Sequence, residues 1–140
     1  MEILMKETFK VGNKTTRRFK IDASKIISVA GGNFGVYATP EMIRDIERTC
    51  KDYILEHADA NEDSVGTQVN ISHVGATLLG MSVEISILLK SLDRRRVVFE
   101  ITVNDDFELV GHGTHERFIT NSVKSTERLS QKAQKAGLLK

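Results

Sequence analysis

One long amphipathic segment stands ahead of four alternating runs, and that order leaves few folds open. Between Thr39 and His57 the apolar residues recur with helical spacing: Ile43, Ile46, Cys50, Tyr53 and Ile54 fall on one arc at about 100° per residue. Arg44, Asp45, Arg48, Lys51 and Asp52 fall opposite. Thr39 is placed as an N-cap, Pro40 suits the first helical position, and Glu41 suits the positive end of the helix dipole. The runs that follow, Ser64–His73, Met81–Leu89, Val97–Val103 and Phe107–Thr120, alternate as strands do. Asp93-Arg94-Arg95 and Asn104-Asp105-Asp106 are turn signals, so the last three strands form a meander of hairpins. A helix followed by antiparallel strands is an α+β pattern. A sheet curled around one central helix gives both apolar rows something to cover.

The rest of the chain is less regular. Ile3 to Val11 reads as a first strand, with Gly12-Asn13-Lys14 as its turn, and Phe19 and Ile21 mark a short extended piece. Ser28 to Tyr37, with Gly31-Gly32 and Gly35, reads as a loop. Residues 1–121 are expected to form a single domain. Residues 122–140 form a tail with a helix around Glu127–Ala136.

The 140 residues suit one domain with a real core. Twenty basic residues meet nineteen acidic ones. No broad field for nucleic acid or a membrane surface follows from that balance. Cys50 is alone, so no internal disulfide forms, and no cysteine–histidine cluster has zinc spacing. The N-terminal apolar run is too short for a signal peptide, and no stretch spans a bilayer. A soluble cytoplasmic protein is the expectation.

Two residues stand out chemically. Glu47 lies about 40° from Ile43 on the helical wheel, an acid on an apolar arc. It must reach solvent, find a partner, or shift its pKa. His73 ends the row Val65, Thr67, Val69, Ile71, His73, read as one strand face. An acid and an imidazole facing one layer are a general acid/base or nucleophile–base pair. Each also has a structural reading, as an edge acid and as a satisfied histidine.

Three segments then resemble a known group. They are Ala38-Thr39 followed by Glu47; Val65-Gly66-Thr67 leading into Ile71-Ser72-His73-Val74-Gly75-Ala76-Thr77; and Gly111-His112-Gly113-Thr114-His115-Glu116-Arg117. Together they are similar to the fluoroacetyl-CoA thioesterase-like family of hotdog-fold thioesterases, over about Phe34 to Asn121. The resemblance implies a hotdog fold, an antiparallel sheet curled around one long central helix. It implies hydrolysis of an acyl-CoA thioester, with Thr39, Glu47 and His73 as the catalytic set. Gly66, Gly111, Gly113 and Arg117 are the substrate-binding candidates. For Gly111 and Gly113, ligand approach and relief of crowding in a curled sheet stand equal. For Arg117 a structural ion pair is the alternative.

The family implies a homodimer or a dimer of dimers, with pockets at the interface. It implies no metal and no resident cofactor; coenzyme A arrives as part of the substrate. Val29-Ala30-Gly31-Gly32-Asn33-Phe34 lacks the two phenylalanines that lid the fluoroacetyl-specific enzyme. A generic short- or medium-chain acyl-CoA is therefore expected instead. Two rivals share the fold: a non-catalytic acyl-CoA sensor and an acyl-CoA hydratase or dehydratase. Asp52 and His57 lack the further pattern a hydratase requires.

Overall fold

Alternating residues of the four runs turn one side of each strand toward a common helix. The computed structural model describes residues 5–139. In chain order the elements are β1 (Lys14–Lys20), a 3-10 turn (Ala23–Lys25), β2 (Ile26–Val29), β3 (Phe34–Tyr37), α1 (Thr39–Glu56), β4 (Glu62–His73), β5 (Ser82–Asp93), β6 (Arg96–Asn104), β7 (Leu109–Asn121) and α2 (Ser122–Lys135). Five strands form one antiparallel sheet in the order β1-β5-β6-β7-β4. The meander β5-β6-β7 is as expected, and β4 joins it along β7. Among the described residues both edge strands, β1 and β4, keep one side unpaired.

The core is the strip between α1 and the sheet. Met42, Ile46, Cys50 and Ile54 are buried with Val83, Ile85, Ile87 and Leu89 of β5 and Val97, Phe99, Ile101 and Val103 of β6. Each such side chain stabilises the fold by roughly 1.5–3 kcal/mol. That strip outweighs a weakness at the helix start. The N-cap is Ala38, with no side-chain hydrogen bond, and Thr39 is already helical. The missing cap costs about 1 kcal/mol. The expected capping role of Thr39 is thus not the one it has.

The buried arc of α1 is also rotated from the wheel reading. Met42, Asp45, Ile46, Thr49, Cys50, Tyr53 and Ile54 are buried, whereas Ile43 is half-buried. Asp45, expected in solvent, is 2% exposed because Lys25 and Tyr37 reach it.

Three stretches before the helix differ from expectation. Ile3 and Leu4 of the expected first strand lie outside the described residues. Met5 makes one isolated bridge to Ala58, and residues 6–11 form no strand. The short extended piece is a full seven-residue strand, β1, on the edge beside β5. The expected loop is a hairpin, β2 against β3, turning at residues 30–33. Glycine content masked the Ile26-Ile27 and Val36-Tyr37 pairs that make it. At the other end α2 begins at Ser122, earlier than expected. Asn121 caps it there, its Oδ1 accepting from the backbone N–H groups of Val123 and Lys124.

Candidate active site

β4 carries the site and is not a simple strand. Its register with β7 shifts between Gly66 and Gln68, a β-bulge with Thr67 as the extra residue. Val69, Ile71 and His73 keep the expected face, opposite His115, Gly113 and Gly111. Ahead of the bulge the face changes hands. Gly66 opposes Arg117, and Ser64 is buried, while Val65 and Thr67 point outward. A period-two reading carried through the bulge therefore misplaces Val65 and Thr67.

The candidate residues gather at two places. At the first, Thr39 Oγ1 lies 2.7 Å from His73 Nδ1. The first turn of α1 thus meets the end of β4. Burial lowers the pKa of His73, opposed by a hydrogen bond to the backbone of Gly75. A neutral imidazole is favoured, able to accept the Thr39 hydroxyl at Nδ1. The ring of Tyr37 meets that of His73 edge-on at 6.3 Å. A cleft of about 300 Å³ opens here, walled by Ile27, Val36, Tyr37, Thr39, His73 and Val74. Ile27 and Val36 are paired across the β2–β3 hairpin, so the hairpin is one wall.

The second place lies two turns along α1, about 12 Å from Thr39 on the helix axis. Glu47 there faces Gly66, His115 and Arg117. A Cβ built on Gly66 would lie 3.3 Å from His115 Cε1, 3.4 Å from Arg117 Nη1 and 3.9 Å from Glu47 Oε1. The missing side chain lets an imidazole, a guanidinium and a carboxylate close in over the Gly66 backbone, where a Cβ would be crowded. Arg117 is 4% exposed and lodged by donating from Nε to Ser64 Oγ at 2.8 Å and from Nη2 to Ser64 O at 3.0 Å. Burial lowers the pKa of Arg117, opposed by Cys50 and Glu47; an arginine nonetheless stays cationic. Burial pushes the Cys50 thiol up, so it is an inert apolar filler.

One subunit therefore joins Thr39 to His73 and Glu47 to the surroundings of Gly66 and Arg117, at separate points. Gly111 and Gly113 both lie in close packing. A Cβ on Gly111 would sit 2.8 Å from Met42 Sδ, under the helix. Gly113 has φ +150° and lies against the backbone of Asn70, a position only glycine fills easily.

Among the buried polar groups that sequence reasoning missed, two bear on the site. His115 is fully buried within a motif whose neighbours drew the attention. Asp45 accepts from Tyr37 Oη at 2.5 Å and from Lys25 Nζ at 2.7 and 2.8 Å. Helical spacing placed Asp45 opposite the apolar arc, because nothing on α1 itself signals the Lys25 and Tyr37 groups that bury it. The Arg94-Arg95-Arg96 turn is partly engaged internally: Arg95 donates to Ile119 O and Arg96 pairs with Glu116. A larger cleft, about 630 Å³ beside Thr15, Arg17, Asp52 and Glu56, holds none of these groups. Among the described residues no cluster of three or more His, Cys, Asp or Glu could hold a metal. No helix among them is long and apolar enough to cross a membrane.

Known proteins share this arrangement of elements. The fluoroacetyl-CoA thioesterase of Streptantibioticus cattleyicolor is 28% identical over 135 residues, 91% of this chain and 97% of its own. A solved structure of the fluoroacetyl-CoA thioesterase FlK superimposes with a TM-score of 0.80 at 27% identity, covering 89% of this chain and 97% of that one. A mutant of that enzyme in complex with acetyl-CoA gives 0.79 at 26% identity, covering 89% and 98%. A hot-dog-like protein from Thermanaerovibrio acidaminovorans, 17% identical, gives 0.82 over 90% and 94% and shares the fold. The pattern of the fluoroacetyl-CoA-specific thioesterase family, FlK, matches residues 6–123. The hotdog reading of the α+β fold is thereby shown, and the chain belongs to the fluoroacetyl-CoA-specific thioesterase family.

Proposed function

We propose that this protein is a thioesterase that hydrolyses short- or medium-chain acyl-CoA esters in the cytoplasm. The observation that carries the reading is the convergence of Glu47 Oε1 and Arg117 Nη1 over Gly66, which has no side chain to keep a ligand from its backbone. A thioester carbonyl seated there meets a carboxylate and a cation together. Glu47 attacks the carbonyl or draws a proton from an attacking water. Arg117 stabilises the charge that builds on the carbonyl oxygen. The carbon–sulfur bond breaks. The proton that Glu47 draws from water passes by way of His73, which Thr39 orients, to the leaving thiolate of coenzyme A. Where Glu47 attacks directly, water then hydrolyses the acyl–Glu47 anhydride and supplies that proton. Gly66 and Arg117 are the substrate-binding residues this geometry favours; for Gly111 and Gly113 their packing favours the crowding role.

The two gathering places become one site in a homodimer. Among the described residues nothing pairs with the outer edge of β4. Antiparallel pairing of two β4 edges, centred near Val69 and Asn70, lays Gly66 of one subunit close to the partner's His73. Each site then takes Glu47 from one chain and Thr39–His73 from the other.

The test is release of free thiol from a panel of acyl-CoA esters, followed with a thiol-reactive dye. Turnover that vanishes in Glu47→Gln is expected. Tight binding of the esters without thiol release would overturn the reading in favour of a sensor.

A further inference from the structure

His115 is wholly buried, two residues before Arg117 on the same face of β7, and its bonding settles its state. Nδ1 lies 2.9 Å from Gln68 O, and a carbonyl only accepts, so Nδ1 carries the proton. Nε2 lies 3.2 Å from Arg117 Nη1, and a guanidinium only donates, so Nε2 is bare. Both neighbours require one neutral tautomer. Burial lowers the pKa of His115 in the same sense.

Its two partners matter for the chemistry. Gln68 is the residue at which β4 resumes its register after the bulge. Arg117 Nη1 is the guanidinium atom that lies over Gly66, near Glu47 Oε1. Glu47 attracts the same cation, yet no ion pair joins Arg117 and Glu47 among the described residues. Ser64 holds Nε and Nη2. The contact from Nη1 to His115 is a further tie on the same planar group, at the atom left free by Ser64.

We propose that His115 is a positioning residue that holds Arg117 Nη1 beside Gly66 and off Glu47, leaving that carboxylate free to react. The inference rests on the thioesterase reading for its kinetic consequence and on geometry alone for its structural one. Without the acceptor at Nε2, the guanidinium closes on Glu47 and ties up the group that attacks.

Two variants separate this role from simple packing. An asparagine amide reaches about as far as Nδ1, and a glutamine amide about as far as Nε2. His115→Asn therefore keeps the bond to Gln68 O and loses the acceptor for Arg117, whereas His115→Gln does the reverse. The expected result is a fall in kcat of about ten- to hundredfold for His115→Asn with a smaller change in KM. His115→Gln should retain most of the turnover at a similar melting temperature. A crystal structure of His115→Asn should show Arg117 paired with Glu47, a readout that needs no turnover. Activity lost equally in both variants, or lost more in His115→Gln, would overturn the proposal, as would an unmoved Arg117. A wild-type protein that releases no thiol would instead sink the thioesterase reading.

Discussion

The two edges of the sheet are built by opposite rules. β1 reads Lys14-Thr15-Thr16-Arg17-Arg18-Phe19-Lys20, four cations in seven residues. Arg17 pairs with Asp52, and Arg18 with Glu84 and Asp106, all at exposed positions. Such pairs add little stability, but a charged, short edge repels a second strand. β4 is twelve residues long and carries no charged side chain from Ser64 to Ser72. An edge of that length without protection is a template for pairing. The candidate catalytic residues lie beside the open edge, and none lies beside the guarded one. The difference is what the proposed β4-to-β4 homodimer requires: one edge guarded against pairing and one left open beside the candidate residues.

The sharpest way to break this comparison is to mix lesions. Glu47→Gln and His73→Ala, each alone, are expected to lower kcat/KM by about 10²–10⁴-fold with the fold intact. Co-expressed, the two should form mixed dimers in which one site carries both lesions and the other none. Recovery of roughly one quarter of wild-type activity follows from random pairing. A mixture as dead as its parents would place each site within one chain and strip β4 of its special role.

A smaller effect comes from charging each edge in turn. Asn70→Lys puts like charges near the pairing axis, which opposes association. Sedimentation should show monomers, and activity at low protein concentration should fall about tenfold or more. Thr16→Lys, made on the guarded edge, should leave assembly and kcat/KM within about twofold. Equal behaviour of the two variants would erase the distinction between the edges.

The smallest effect concerns the hairpin. Its tip carries Ala30, Gly31 and Gly32 at positive φ and no bulky side chain at residues 30–33. A small apolar difference is worth only ~1–3 kcal/mol in a shaped pocket. The ratio of kcat/KM for fluoroacetyl-CoA over acetyl-CoA should therefore stay below about a hundredfold. A ratio of a thousand or more would mean that residues elsewhere supply the lid.

What was legible in the sequence depended on periods that run unbroken. α1 and the meander β5-β6-β7 have clean periods and were readable to within a few residues. Glu47 and His73 were visible as breaks in those periods. The bulge at Thr67 was not visible, because one inserted residue looks like any other until register with β7 is known. The β2–β3 hairpin was hidden by Gly35, which crowds against Ile26 and suits a strand only beside that neighbour. His115 was hidden for another reason: its partners, a backbone carbonyl and a guanidinium, come from two strands. Asp45 likewise drew its partners from Lys25 and Tyr37, residues outside the helix that carries it.

Asp45 has one more consequence. Lys25 enters the β2–β3 hairpin and Tyr37 leaves it, and both end on the same buried carboxylate. Breaking a buried pair costs about 3–5 kcal/mol, so the base of the hairpin is fixed to α1 whatever its tip does. The tip can then lengthen, shorten or change composition from one descendant to the next without shifting Thr39 against His73. Substrate range in such a lineage would drift by exchange of a handful of loop residues, while the candidate reacting groups kept their places.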